Sequence, residues 1–360
     1  MIKNYRKKRM KNMSKKLKVG VISCSNMAAK HMEAAVTLAD TELAMVCDVD
    51  EEKLHKRMEE FKVEKGCTDY REMLADPEID LVVVCTPDQW HREMAIAALE
   101  AGKHVLCEKP MALTMDDCYA IVEASKKAKT KLMVGQVSRY QKSFAEAKKL
   151  IARGEIGELF YVESEYAHDY SKIGWDWRLD PLRHGFLGGG CHAVDLLRWI
   201  AGDPEEVMAY SNHKMLKDWP TDDATVAIFK FPNDVIGKVF VSTGCKRAYT
   251  MRSVFYGSKG TIIADTTSPH MTIYLDGYKE QLPIMSDVTK QTHTIPIMYP
   301  CKGKDHNTVG ELGEFVEIIL NDEPVRTTAA EGAKTVLVSL AAVESTKTGL
   351  PVKINYDKLK

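Results

Sequence analysis

No apolar run in the 360-residue chain approaches the ~20 residues needed to cross a bilayer, and no secretory-type apolar segment precedes the first strand. The nine cysteines contain no CxxC pair, and the eleven histidines no HxxxH or HxH pair. Those gaps argue against a zinc cage and a disulfide framework, and no metal site is expected. Most of the cysteines sit in apolar runs, where a thiol behaves as a small hydrophobe, so the chain reads as reduced and cytoplasmic. An excess of charge is missing as well, because 50 Lys and Arg face 51 Asp and Glu. Neither nucleic acid nor an anionic membrane is therefore expected as the main partner. The local exception is the basic opening "MIKNYRKKRMKNMSKKLK", of which residues 1–13 read as a flexible, solvated tail.

What is present is enough apolar content, 45%, for two domains. Strand and helix alternate through "LKVGVIS", "MAAKHMEAAVTLA", "ELAMVCD", "EEKLHKRMEEF", "IDLVVVCT", "REMAIAALEAG", "KHVLCEK" and "KLMVGQ". Continuous apolar strands between amphipathic helices predict a doubly wound parallel sheet over residues 14–137. "TMDDCYAIVEASKKA" opens on Thr114 with Asp117 three residues later, a variant of the capping box. From residue 138 to 360 the rhythm changes to strands of period two, such as "LFYVESEYAH" and "VIGKVFVSTG". That pattern predicts a second α/β domain with a large, mostly antiparallel open sheet.

The stretch "KVGVISCSNMAAKH" sits where a dinucleotide-binding unit has G-x-G-x-x-G/A. Its three key positions are Ser23, Ser25 and Ala28. The serines depart from the pattern, yet the amides of the following helix form an anion site whatever the side chains are. Ser23, Ser25, Asn26 and Met27 are therefore assigned to the pyrophosphate, with the serine hydroxyls as hydrogen-bond partners. Asp48 follows Ala28 by 20 residues, the spacing of the acid that binds the adenosine ribose. A carboxylate there favours NAD over NADP. Strand ends in such sheets face the ligand crevice, which adds Thr86, Pro87, His91, Glu108, Lys109 and Gln136 to the cofactor set. A lysine before a rigid proline, at a strand end, suits proton relay or hydroxyl orientation.

In "FLGGGCHAVDLLRWIAG" three glycines precede His192, and Asp195 lies one turn later on the same helix face. Histidine is the side chain best matched to proton transfer near neutral pH, and a carboxylate at i+3 suits holding its tautomer. The segment "EYAHDYSKIGWDWRLDPLRHGF" is rich in aromatic rings, His and Arg, a cluster suited to lining a substrate pocket. Tyr140, His168, Trp175, Asp176, Trp177 and Arg178 are the expected substrate residues.

With "CTPDQWH", "HVLCEKPMALT", "GGGCHAVDLLRW" and "AAVESTKTGLPVKI" in this order, the chain resembles the Gfo/Idh/MocA family over about residues 17–354. The resemblance implies a two-domain NAD(P)-dependent oxidoreductase of sugars or polyols, a homo-oligomer joined through its open sheet. It also implies roles: Lys109 binds the reacting hydroxyl and touches the nicotinamide, His192 handles the proton, and Asp195 is its downstream carboxylate. The chain departs from the D-x-G-x-H-x-x-D pattern at Gly188, where many members have aspartate. Tyr140, Tyr166, Asp169 and Asp176 are candidates to replace it. The expected reaction is NAD-dependent oxidation of a secondary hydroxyl of a sugar, polyol or glycoside, such as the glucose 3-hydroxyl of a glycoside. The rivals are an NAD-using glycosidase acting by transient oxidation and elimination, and a non-catalytic ligand sensor.

Overall fold

A computed structural model of the chain describes residues 16–173, 176–277, 279–281, 292–301 and 306–360. They group into two units, divided between Val137 and Ser138, with Asn307–Val336 and Lys358–Lys360 returning to the first.

The first unit is built on six parallel strands: β1 (Leu17–Ile22), β2 (Thr41–Cys47), β3 (Lys65–Cys67), β4 (Leu81–Val84), β5 (His104–Glu108) and β6 (Leu132–Gly135). Their order, β3-β2-β1-β4-β5-β6, is that of a doubly wound dinucleotide-binding sheet. Central β4 is buried along its whole length, as expected of a strand covered on both faces. The connecting helices are α1 (Asn26–Thr37), α2 (Glu51–Phe61), α3 (Tyr70–Ala75), α4 (His91–Glu100) and α5 (Met115–Lys127). Helix α1 buries Ala28, His31, Met32 and Ala35, the i, i+3, i+4, i+7 stripe of an amphipathic helix. Thr114 caps α5, its Oγ1 accepting from the Asp117 amide and donating to the Asp117 carboxylate.

The second unit holds α6 (Lys142–Ala152), β7 (Leu159–Ala167), α7 (Cys191–Ala201), β8 (Glu206–Asn212), β9 (Ala224–Lys230), β10 (Ile236–Ser242), β11 (Thr250–Gly257), β12 (Gly260–Asp265) and β13 (His270–Leu275). Strands β14 (Lys279–Gln281) and β15 (Thr292–Thr294) pair as a separate ribbon, and β16 (Ile297–Pro300) adds to β13. Two helices follow, α8 (Thr308–Asn321) and α9 (Ala329–Thr348), and then β17 (Val352–Lys353). The nine-stranded sheet runs β16-β13-β12-β11-β7-β10-β9-β8-β17. Every pairing in it is antiparallel except β7 with β10. One face packs Val162, Phe229, Val239 and Phe255 against the apolar face of α7, including Leu197. Truncating such a buried leucine to alanine costs about 2–5 kcal/mol. Gly202, at φ 93°, ends α7 where a side chain would be strained.

One expectation is corrected. Residues 138–360 do not form a single second domain, because α8 returns to the first unit. Its Leu312, Phe315, Val316 and Ile318 join the core of Val19, Met32 and Ala35. An amphipathic stripe announces a helix without saying which sheet it covers. Among the described residues no helix is long and apolar enough to cross a membrane.

Candidate active site

The first unit gathers the expected cofactor residues at the carboxyl ends of its strands. Ser23 follows β1 at φ 103°, a conformation that favours glycine, so the turn keeps a glycine's shape with serine in it. Ser25 caps α1, its Oγ accepting from the Ala28 amide at 3.3 Å, while Ser23 Oγ accepts from the Ser25 amide at 3.1 Å. Both hydroxyls thus brace the loop through lone pairs, and that of Ser25 also meets the buried Cys85 thiol. Asp48 closes the loop from the end of β2: Oδ2 accepts from the Cys24 amide at 2.6 Å and Oδ1 from the Asp50 amide at 3.0 Å. Arg57 Nε donates to the Cys24 carbonyl, and its Nη2 reaches Asn26.

At the β4 and β5 ends, His91 holds the chain together. Its two ring nitrogens lie 2.9 Å from the carbonyls of Thr86 and Pro110. The sequence placed His91 on the cofactor; the geometry makes it a clasp between two strand ends. Glu108 is buried, with Oε1 2.8 Å from His31 Nε2 and Oε2 accepting from the Lys109 amide at 3.0 Å. Burial alone would raise its carboxyl, but the hydrogen bond and charge of His31 and the charge of Lys109 more than offset it, to about 2. Glu108 therefore holds the lysine's backbone, and Lys109 itself is half-buried.

The pattern of buried atoms without hydrogen-bond partners tests whether this end of the sheet fits a dinucleotide. Thr86 Oγ1 and Gln136 Oε1, at the ends of β4 and β6, are two of them. Polar atoms left unpaired at this edge suit a polar ligand, and the serine loop and Asp48 supply the phosphate and ribose ends. The residues fit NAD. His31, Cys85 and Glu108 also bring a nitrogen, a sulfur and an oxygen within 4.8 Å of one another. The His31–Glu108 hydrogen bond already satisfies two of these, and burial keeps the Cys85 thiol protonated. Glu311, from α8, is fully buried with neither carboxyl oxygen hydrogen-bonded.

The second unit centres on His192. The three glycines before it make room for close neighbours. A Cβ on Gly188 would meet the Arg183 guanidinium, one on Gly189 the Tyr166 phenol, and one on Gly190 the Phe186 carbonyl. The Tyr166 ring consequently stacks on His192, with centroids 6.1 Å apart and planes 23° apart. His306 meets His192 edge-on at 6.0 Å and stacks on Tyr249 at 5.7 Å. His192 Nδ1 lies 2.9 Å from Ser138 Oγ. Asp195, expected to hold the imidazole, gives both carboxylate oxygens to Arg139, at 2.7 and 2.8 Å.

The expected substrate residues are only partly gathered. Tyr166 Oη lies 3.1 Å from His168 Nδ1 and 2.9 Å from Tyr170 Oη. Arg178 lies over the rings of Tyr170 and Trp177, 5.0 Å from each, and Arg183 lies 4.7 Å from Trp177 on its own account. Tyr140 is half-buried beside Arg139, Asp176 is exposed, and Trp175 lies outside the described residues. The Asp169 carboxylate is engaged by Ser171 and Lys246. Sequence reasoning missed Ser138, Arg139, Tyr249 and His306, none of which sits in a recognisable motif.

Residues 17–136 match the family model described as the Gfo/Idh/MocA oxidoreductase family, NAD-binding Rossmann fold, and residues 144–263 match the Gfo/Idh/MocA C-terminal domain. The myo-inositol 2-dehydrogenase of Thermotoga maritima is 26% identical over 349 residues, covering 94% of this chain and 98% of that protein. The 1,5-anhydro-D-fructose reductase of Ensifer adhaerens is 28% identical over 274 residues, covering 74% and 82%. Among solved structures, a levoglucosan dehydrogenase in complex with NADH superposes with a TM-score of 0.85 over 95% of this chain and 100% of that one. At 23% identity, that likeness is one of fold. An oxidoreductase domain protein from Kribbella flavida reaches a TM-score of 0.84 at 26% identity, over 95% and 100%.

Proposed function

The chain belongs to the Gfo/Idh/MocA oxidoreductase family, with that family's NAD-binding Rossmann domain, and on that premise we propose that it oxidises a secondary hydroxyl of a sugar, polyol or glycoside. The observation that carries the reading is His192, a buried imidazole whose plane is fixed by Tyr166 and whose Nδ1 is engaged by Ser138. Proton exchange then falls to Nε2. NAD, when bound, accepts the hydride from the carbon that bears the hydroxyl. The chain's own work is to orient that hydroxyl and take its proton. His192 takes the proton, and Lys109 binds the hydroxyl oxygen. The rings of Tyr166, His168 and Tyr249 offer apolar faces of the kind that C–H faces of a cyclic polyol pack against. Relatives named for myo-inositol and 1,5-anhydro-D-fructose support a compact cyclic substrate. The Arg178- and Arg183-flanked Trp177 extends the aromatic surface and supports a glycoside with a second group attached.

The same premise gives the outer face of the large sheet a role. Tyr210, Ile228 and Ile236 stand on it at 70%, 53% and 51% exposure, and Val226, Tyr256 and Met298 share that face. Exposed apolar side chains of that kind, set among the Lys238–Glu163–Arg252 ion pairs of the same face, support an association site. A homo-oligomer joined through this sheet accounts for it, and sedimentation of the purified protein as a monomer would remove the reading.

NADH formation with inositols, anhydrosugars, free sugars and aryl glycosides tests the reaction. Wild type turns over at least one class, whereas Lys109→Ala and His192→Ala lose activity. Sugar released from an aryl glycoside without net NADH would assign the elimination chemistry instead. NAD binding without turnover of any class would sink the proposal.

A further inference from the structure

We infer that Ser138 is the positioning residue of His192, docked against it by the Arg139–Asp195 ion pair, and that its oxygen accepts from Nδ1–H and so leaves proton exchange to Nε2. The inference rests on the reading of His192 as the proton carrier.

The geometry is a two-point grip. Ser138 and Arg139 are consecutive in the short 3-10 turn Val137–Tyr140, and His192 and Asp195 are one turn apart on α7. Ser138 Oγ meets His192 Nδ1 at 2.9 Å, while Arg139 Nε and Nη2 meet the two oxygens of Asp195. Ser138, His192 and Asp195 are 1%, 3% and 0% exposed. A buried bidentate guanidinium–carboxylate pair is strong and directional, and losing one member strands a charge. It fixes the turn on the helix, and the turn brings the serine to the imidazole. Asp195 thus acts on His192 at one remove, through Arg139 and its neighbour.

The partner's charge matters as well as its place. A carboxylate at Nδ1 would hold the proton there and also favour the imidazolium. The serine oxygen accepts from Nδ1–H without adding a charge. With Nδ1–H donating to Oγ, Nε2 carries a lone pair. In oxidation the substrate O–H bond then breaks toward Nε2, the C–H electron pair leaves as hydride to bound NAD, and the C=O bond forms. The imidazolium releases one proton to solvent, so each carbonyl made yields one hydride and one proton. In the reverse direction the imidazolium, with Nδ1–H still donating to Oγ, gives its Nε2 proton to the carbonyl oxygen as hydride returns. Among the described residues, Tyr166 on β7 and His306 meet the His192 ring, and Arg183 packs against Gly188 just ahead of the helix that carries it. The position where the family resemblance leads one to expect aspartate is filled by the Arg183 guanidinium.

Two measurements test the inference, and one needs no substrate. In protein labelled with [15N]histidine, His192 (identified by its loss in His192→Gln) shows Nδ1 at the protonated and Nε2 at the unprotonated position. Ser138→Ala moves both shifts away from those positions, and Ser138→Thr restores them. With any substrate that is turned over, Ser138→Ala lowers kcat by about 10- to 100-fold, a share of what general acid–base catalysis supplies. KM and NAD affinity stay within about 2-fold of wild type, which also shows the variant folds. Ser138→Asp moves the acid limb of kcat/KM to higher pH, because a carboxylate favours the imidazolium. Asp195→Asn adds little further loss to Ser138→Ala, because the two act through one contact. An unchanged His192 spectrum in Ser138→Ala overturns the inference even if no substrate is found, while absence of turnover alone counts only against the proposed reaction.

Discussion

Arg183 lays its guanidinium so close to Gly188 that a Cβ there would stand 2.6 Å from Cζ. The guanidinium is nearly buried and also lies over Trp177, so it has little room to retreat. Gly188→Ala therefore overpacks the turn into α7 and destabilises the protein by about 1–3 kcal/mol. Shortening the arginine removes the clash, so Arg183→Ala makes the same change at residue 188 far less costly. Urea unfolding of the two single variants and the double variant measures the coupling. Additive losses would mean the two side chains do not compete for this space.

The serine loop gives two opposed expectations. Ser23 holds φ 103°, which costs a non-glycine residue about 1–3 kcal/mol, so Ser23→Gly relieves strain and leaves NAD affinity intact. Ser25 sits at the mouth of α1, where the pyrophosphate is expected. Ser25→Gly keeps NAD binding at a small loss of cap energy, whereas Ser25→Leu abolishes it by filling the phosphate position. Calorimetric titration with NAD distinguishes them. Normal binding by Ser25→Leu would put the phosphate elsewhere.

Local chemistry accounts for what was legible before the fold was known. Hydrophobic period marked the strands and helices of the parallel sheet, and the Thr114–Asp117 cap followed from spacing alone. The three-residue edge strand β3 was missed because so short a segment carries no period. The site was legible where a motif is contiguous, as around Glu108–Lys109 and His192. It was illegible where polar side chains meet across the fold. Ser138 and His192 are 54 residues apart, and Arg139 and Asp195 are 56 apart. A single serine or arginine leaves no periodic trace of its partner. The carboxylate at i+3 was visible, but its attachment to Arg139 was not.

Glu311 has its own signature. Burial, with the charge of Glu108 adding to it, pushes its carboxyl well above the usual carboxylate range. The folded chain therefore keeps a proton that the unfolded chain releases above about pH 4.3. Stability from this group is lost as pH rises, the reverse of a paired carboxylate. Glu311→Gln has nothing to ionise, so its stability advantage over wild type widens between about pH 5 and about pH 8. Thermal unfolding across that range measures the gap. A gap that stays constant would show Glu311 to be ionised in the native state.

His184 produces a dependence at lower pH. Its Nδ1 accepts from the Phe186 amide and so caps the short helical turn Gly185–Gly188 that leads to α7. Burial pushes its imidazole down to about 4, against a partial upward pull from Asp222. In the window between about pH 6.5 and about pH 4, the unfolded chain takes up a proton that the folded chain refuses. Stability therefore falls as pH falls through that window, by about 3 kcal/mol once it is crossed. Glu108, held at about 2, is lost only below the ordinary carboxylate range, so the two effects separate on the pH axis. His184→Asn keeps an acceptor for the Phe186 amide and removes the titration. Its unfolding free energy in urea should stay flatter than wild type between about pH 6.5 and about pH 4 and run parallel to it above. Equal slopes in that window would mean that His184 takes its proton in the folded chain as readily as in the unfolded one, and that the cap does not depend on a neutral imidazole.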